Sequence, residues 1–245
     1  MMISVDSLKV GKIPQSIGVI MDGNRRFARE IMKRPWEGHE FGVRKAREVL
    51  EWACELGIKY MTVYALSVEN LKSRPKRELR KIFEYFDKEI DAFFSGNHII
   101  HGTKTRVKFI GRTRLLPKKL QEKMKRVEEA TKKYEKHFLN VAVAYGGQQE
   151  IVDACKEISM KVARGLLKPS QINEKLFKES LYADGFRYPD LVIRTGGERR
   201  LSNFLLWQSA YAELAFTDKR WPEITKQDFL ELIRYYQQRE RRFGK

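Results

Sequence analysis

Cysteine is scarce in this chain of 245 residues: there are two, Cys54 and Cys155. Both fall in segments of helical pattern, far apart in sequence, which argues against a disulfide framework or a cysteine-built zinc site and fits a reducing compartment. Prolines number only 7. No Pro/Gly/Ser-rich linker, internal repeat or low-complexity tract interrupts the chain, so one domain is expected over 1–245, with a short N-terminal extension at 1–14. No run approaches the ~20 apolar residues that span a bilayer. The opening "MMISVDSLKVGKIPQ" lacks a signal peptide's apolar core. A cytoplasmic location is expected, with a membrane at most as a neighbour. Acidic residues are in deficit, 32 against 49 Lys and Arg, leaving a formal charge of +17. That excess either calls for an anionic partner (nucleic acid, lipid headgroups or phosphorylated small molecules) or is simply a solvated surface. A hydrophobic content of 42% excludes a disordered chain.

Short apolar runs recur at 17–22, 59–66, 106–111, 138–145, 189–195 and 212–217, and their length and β-branching predict buried strands. Between them lie segments of helical period. Ala46, Val49, Leu50, Ala53 and Leu56 mark one face of 38–57, and Leu79, Ile82, Phe83, Phe86, Ile90, Phe93 and Phe94 a phenylalanine-rich face of 76–95. Two more helices are predicted over 115–134 and 226–241. The alternation predicts an α/β fold with a mostly parallel sheet of about six strands flanked by helices.

Charged and small polar residues gather where the apolar runs end. In "IGVIMDGNRRFARE" (17–30) Asp22 closes a strand, Gly23 permits a tight turn, and Asn24 is a good N-cap for a helix opening at Arg25. Such a junction either only caps the helix or is a place where open α/β sheets bind anions. In "PDLVIRTGGERRLSNFLLWQSAYAELAF" (189–216) a strand ends at Arg194 and runs into Gly196, Gly197, Arg199, Arg200, Ser202 and Asn203. Glycines let backbone approach an anion, and arginines with a hydroxyl supply charge-assisted donors, the makings of a diphosphate cradle. The alternative is that the arginines pair with Glu198 and Glu213. A third strand end, "YALSVENLKSRP" (64–75), offers Ser67, Glu69 and Asn70, and His39, in "EGHEFG", begins the second helix.

Taken together, "IMDGNRRFA", "GHEFGVRK", "YALSVEN", "VAVAYGGQQEIVDA" and "PDLVIRTGGERRLSNFLLWQSAYAELAFT" resemble, in order and in near-family spacing, the five signature regions of the cis-prenyltransferases, the undecaprenyl and dehydrodolichyl diphosphate synthases. The resemblance runs from about residue 15 to residue 244. It implies sequential head-to-tail condensation of isopentenyl diphosphate onto an allylic diphosphate, farnesyl or geranylgeranyl, with a new cis double bond at each step, to a long-chain polyprenyl diphosphate of the glycosyl-carrier type. Mg²⁺ is the implied cofactor. By the same resemblance Asp22 handles the metal, assisted by Glu213. Gly23, Asn24, Arg25, Arg26 and Phe27 surround the allylic diphosphate, while Arg194, Arg200 and Ser202 hold isopentenyl diphosphate. His39, Ser67, Glu69 and Asn70 line the reaction centre, with Asn70 positioning substrate and departing proton, and Arg74 is a further substrate-binding residue. The tail element Arg242-Phe243-Gly244 resembles one that reaches the neighbouring subunit's site, which implies a homodimer. Peripheral contact with a membrane would serve product release. The resemblance also implies an apolar tunnel between sheet and helices, lined by the phenylalanine-rich helix, with Ala65 near its mouth and Phe93 and Phe94 deeper.

The chain departs from the family pattern in several places. Pro35 stands where an arginine is usual, leaving Arg34 as the residue that would reach the allylic diphosphate; Leu71 replaces an aromatic; and one extra residue precedes Arg74. Many bacterial members have glycine where Arg25 stands and tryptophan where Phe27 stands, and the double arginine Arg25-Arg26 is more like archaeal and eukaryotic members. No two adjacent aspartates occur, which excludes the DDxxD motifs of a trans-prenyltransferase. No nucleic-acid reading module is recognisable, so nucleic acid is not an expected partner. Retention of Asp22, Arg26, Arg194, Arg200 and Ser202 argues against a non-catalytic partner subunit of a heteromeric synthase.

Overall fold

All six apolar runs form strands, and every pairing between them is parallel. The strands are β1 (Ser16–Ile20), β2 (Tyr60–Ser67), β3 (Thr105–Ile110), β4 (His137–Tyr145), β5 (Leu191–Arg194) and β6 (Glu213–Phe216). They lie in the order β3-β4-β2-β1-β5-β6 within one sheet. The computed structural model describes residues 3–96, 98–182 and 185–239. Every residue of β1 is buried, as expected of a strand covered on both faces. After β4 the chain crosses to the far side of β1, so the direction of winding reverses beside that strand. In open α/β sheets the crevice at such a reversal, outside the carboxyl ends of the strands, is where ligands bind.

The helices are α1 (Val5–Lys9), α2 (Asn24–Glu30), α3 (Gly38–Glu55), α4 (Val68–Ser73), α5 (Lys76–Phe94), α6 (Ile99–Gly102), α7 (Lys118–Thr131), α8 (Gly147–Ala163), α9 (Glu174–Glu179) and α10 (Lys226–Gln237). Alternation along the strands sorts the apolar side chains into two clusters. Ile17 and Val19 of β1, Met61 and Val63 of β2, and Leu191 and Ile193 of β5 join Val49, Leu50, Ile82, Leu120, Phe229 and Ile233 of the helices in the larger one. Ile20, Val192 and Ala142 point the other way, onto Tyr145, Phe204 and Leu205. Among the described residues no helix is long and apolar enough to cross a membrane.

One expectation changes. Asn24 does not cap α2; it is the helix's first residue, and Gly23 precedes it at φ 103°. The Asn24 side chain instead turns back to donate to the Met21 carbonyl (2.9 Å). The two glycines of "GHEFG" are there for α3 to approach this turn. A Cβ on Gly38 would lie 1.9 Å from the Asn24 carbonyl oxygen.

Candidate active site

Parallel register brings three strand ends to one level. Ile20 of β1 is opposite both Tyr64 of β2 and Arg194 of β5, so Asp22, Thr195 and Ser67 emerge along the same edge. Thr195 fixes the Asp22 backbone from both sides: its Oγ1 donates to the Asp22 carbonyl (2.7 Å) and accepts from the Asp22 amide (3.0 Å). The Asp22 carboxylate is thereby aimed. Its Oδ2 accepts from Arg194 Nη2 (2.9 Å), its Oδ1 accepts from the Gly23 amide (2.6 Å), and Arg26 Nη2 stands 3.4 Å from Oδ1. Arg194 also donates through Nη1 to Ser202 Oγ (2.6 Å) and to the Arg200 carbonyl.

Ser202, Asn203 and Leu205 all have positive φ, a conformation costly for residues other than glycine, so their loop is over-determined by its bonds. Asn203 ties it to two helices. Its Nδ2 donates to Glu69 (2.8 Å) and Gln149 (2.9 Å), and its Oδ1 accepts from the Gln148 amide (2.8 Å). Gly196 and Gly197 act differently from the expectation drawn above. Their amides donate to the Lys219 and Thr217 carbonyls (2.7 and 3.0 Å), so neither is free to bind an anion. Gly196 instead lets Arg26 and Asp22 come close: a Cβ there would lie 2.7 Å from Arg26 Nη2.

A second cluster faces this one. Glu78, on the first turns of α5, is buried, with its Oε1 3.1 Å from Arg74 Nη1, 3.2 Å from His39 Nε2 and 3.7 Å from Arg25 Nε. The hydrogen bond with His39 is the largest influence holding the Glu78 carboxyl below its ordinary range, with Arg74 and Arg25 adding to it. Burial lowers the pKa of both His39 and Arg74. His39 Nε2 also lies 2.9 Å from Arg74 Nη1, so it accepts from arginine when neutral or donates to Glu78 when protonated. Sequence reasoning did not single out Glu78. The available signal was its position four residues before Ile82, on the apolar stripe of α5.

Asp22, Asn24, Arg25, His39 and Arg74 rim a shallow basin of about 240 Å³, joined there by Gly23, Arg26 and Arg29. The same rim opens into a cavity of about 770 Å³ that runs between the sheet and the α3 and α5 helices. Ser67, Glu69, Asn70, Arg194 and Ser202 also line it, and below them the walls turn apolar with Met61, Val63, Ala65, Ile82, Phe86 and Val141. Ser67 additionally caps α4, accepting from the Asn70 amide (3.0 Å).

Several residues named from the sequence are placed elsewhere. Arg34 sits exposed over the Trp36 ring, 5.6 Å from its centroid, and does not line the basin. Phe27 packs edge-on against Phe41 (5.3 Å). The Arg200 guanidinium pairs with Glu198 (2.5 Å). Glu213 opens β6, three residues before the partner of Arg194, which puts it about 10 Å back along the strand from the site. There it accepts from Arg239 (3.2 Å), so within one chain it does not join Asp22 as a metal ligand. Phe93 stacks on His101 (4.5 Å) and Phe94 lies exposed under Arg126, so neither lines the cavity. Arg242 and Gly244 lie outside the described residues.

Residues 20–244 match the profile of the family described as "Putative undecaprenyl diphosphate synthase". Over 240 residues the chain is 51% identical to a protein of Methanopyrus kandleri named tritrans,polycis-undecaprenyl-diphosphate synthase (geranylgeranyl-diphosphate specific), covering 98% of this chain and 88% of that one. A protein of the same name from Archaeoglobus fulgidus is 49% identical over 96% of this chain and 93% of its own. Among solved structures, lavandulyl diphosphate synthase from Lavandula x intermedia in complex with dimethylallyl diphosphate superposes with a TM-score of 0.90 at 33% identity, over 95% of this chain and 99% of that one. A probable undecaprenyl diphosphate synthase from Campylobacter jejuni gives 0.77 at 34% identity, over 96% and 100%. With half its residues shared with archaeal relatives along almost its whole length, the chain belongs to the undecaprenyl diphosphate synthase family of cis-prenyltransferases, as an archaeal-type member.

Proposed function

We propose that this transferase elongates an allylic diphosphate, geranylgeranyl diphosphate by the specificity in its relatives' names, with successive isopentenyl diphosphate units to a long-chain polyprenyl diphosphate. The carrying observation is the join between an arginine-rich basin and an apolar cavity. Such a site suits a ligand with a diphosphate head and a hydrocarbon tail. At each step the allylic carbon–oxygen bond breaks, a carbon–carbon bond forms to isopentenyl diphosphate, and one diphosphate and one proton leave.

In this reading Arg25, Arg26 and Arg74 hold the allylic diphosphate and stabilise the charge that grows on it as it departs. Arg194 and Ser202, already bonded to each other, hold isopentenyl diphosphate. Asn70 orients that substrate where its proton is lost, and Glu69 steadies the roof through Asn203. Mg²⁺ suits the donors present: no group of three or more His, Cys, Asp or Glu among the described residues could cage a metal, but one carboxylate with diphosphate oxygens and waters matches how Mg²⁺ binds. Asp22 would hold it, and the ion would supply Lewis-acid stabilisation of the leaving diphosphate. A homodimer completed by the Arg242–Gly244 tail, and contact with a membrane surface at product release, belong to the same reading.

The purified protein with labelled isopentenyl diphosphate, Mg²⁺ and primers of increasing length is expected to give long polyprenyl diphosphates, best from geranylgeranyl diphosphate. No incorporation from any allylic primer would reject the reading.

A further inference from the structure

At its deep end the apolar cavity meets a charged cluster that the condensation chemistry does not use. Arg47 of α3 and Glu89 of α5 form a two-pronged ion pair across the gap between their helices, Nε to Oε1 at 2.8 Å and Nη2 to Oε2. His98 closes it from the third side, its Nε2 2.8 Å from Glu89 Oε1, while its Nδ1 accepts from the Ile100 amide (3.3 Å). That places the ring proton on Nε2, directed at the carboxylate. All three residues line the same cavity as Asp22 and Asn70. Glu89 stands eleven positions beyond Glu78 on α5, and Arg47 eight beyond His39 on α3, so the cluster lies about 12–16 Å below the basin.

We infer that the Arg47–Glu89–His98 cluster is a polar latch that limits how far a hydrocarbon tail runs along the cavity between α3 and α5. The inference rests on the proposed chain elongation. A tail that reaches the cluster must either stop or part the pair. Lying against it would strip water from an ion pair without replacing its hydrogen bonds, which is costly. Parting remains feasible because Arg47 is the most exposed of the three, and its guanidinium can swing into water. The latch therefore penalises growth beyond a set length without forbidding it, and the product distribution falls off where the tail meets Arg47 and Glu89.

The test is the affinity of unreactive allylic thiodiphosphates of increasing tail length, together with product sizing. In the unmodified protein each added isoprene unit is expected to tighten binding at least about tenfold while it is buried against the apolar wall, and then to stop doing so once the tail reaches the pair. In Arg47→Leu/Glu89→Leu the rise is expected to continue past that length, and the main product to grow by at least one isoprene unit. If the double variant melts below the assay temperature, Arg47→Met alone decides in the same way. An unchanged plateau in a folded variant overturns the latch. A wild-type protein that shows the plateau but forms no prenyl product upholds the latch and rejects chain elongation instead.

Discussion

The rim of the cavity holds two carboxylate–arginine clusters built in opposite senses. In the first, the arginine is the buried member: the side chain of Arg194 is 5% exposed and that of Asp22 31%. In the second, the carboxylate is buried: Glu78 is 3% exposed and Arg25 44%. The exposed member is what a ligand meets. The first cluster offers a carboxylate backed by a fixed cation, as a hard metal ion needs, and the second offers guanidiniums anchored from beneath, as a phosphate needs. Composition alone would have scored both as ordinary ion pairs. Burial tells them apart, and it gives each partner a different job.

The sharpest way to break this contrast is Asp22→Ala. If Asp22 serves the metal, turnover is expected to fall at least roughly 10²–10³-fold, the scale of losing one well-aimed electrostatic group. Arg194 would keep Ser202 and the Arg200 carbonyl, so the protein should still fold, with a modest loss of stability from a buried cation deprived of its counter-ion. Initial rates of isopentenyl incorporation at saturating Mg²⁺, beside a thermal melt, check both parts. Near-normal rates would remove Asp22 from the chemistry and erase the difference between the clusters.

Glu78→Ala tests the other side. Removing the buried partner leaves Arg74 and His39 without their anchor, and a loss of about 2–3 kcal/mol is expected, discounted from the cost of breaking a fully buried pair because Arg25 is half in water. In a chain of this size that is a fall in Tm of about 5–10 °C. The allylic primer should bind more weakly as well, because Arg25 and Arg74 lose their fixed placement. A Glu78→Ala protein as stable as the parent would mean that the anchor is not an anchor.

The pH dependence of Glu78 carries a definite sign. Its folded pKa is below the ordinary 4.5. Its contribution is therefore present above about pH 4.5 and is lost as pH falls through the lower folded value. Stability differences between wild type and Glu78→Gln should be constant near neutrality and shrink on acidification. Denaturant titrations at several pH values would show it, and a difference that widens on acidification would contradict it.

The sheet was legible because six short β-branched runs bounded by turn residues have few other ways to be buried. The strand-end chemistry was legible too, since parallel strands bring their carboxyl ends to one edge. What failed did so for lack of partners visible in one dimension. Gly196 and Gly197 look like an anion loop until their amides are seen bound to carbonyls that follow β6. Glu213 reads as a neighbour of Arg194 until the strand register sets it back. Glu78 and Glu89 were passed over as polar residues of an amphipathic helix, although their spacing from Ile82 and Phe86 puts both on its apolar face. An acid on an apolar stripe was the signal missed.

The smallest effect is expected at Glu150, a carboxylate as buried as Glu78 and the control for it. Its partners are neutral: Tyr145 Oη donates to Oε2 (2.5 Å), Gln208 Nε2 to Oε2 (2.9 Å) and the Tyr182 amide to Oε1 (2.9 Å). Without a cation beside it, burial prevails and raises its pKa, the reverse of Glu78. A raised pKa means that its contribution is full below the unfolded value and is lost as pH rises through the folded one. Glu150→Gln removes that loss. The new amide nitrogen would face the Gln208 donor, but the Gln208 Oε1 is buried without a partner, so a flip of that side chain turns the clash into a hydrogen bond. Net stability near neutral pH is expected to stay within about 1 kcal/mol of the parent, with the variant gaining on it as pH rises. Denaturant midpoints from acid to mildly alkaline pH would test this, and a large loss at every pH would show that Glu150, like Glu78, is held as an anion.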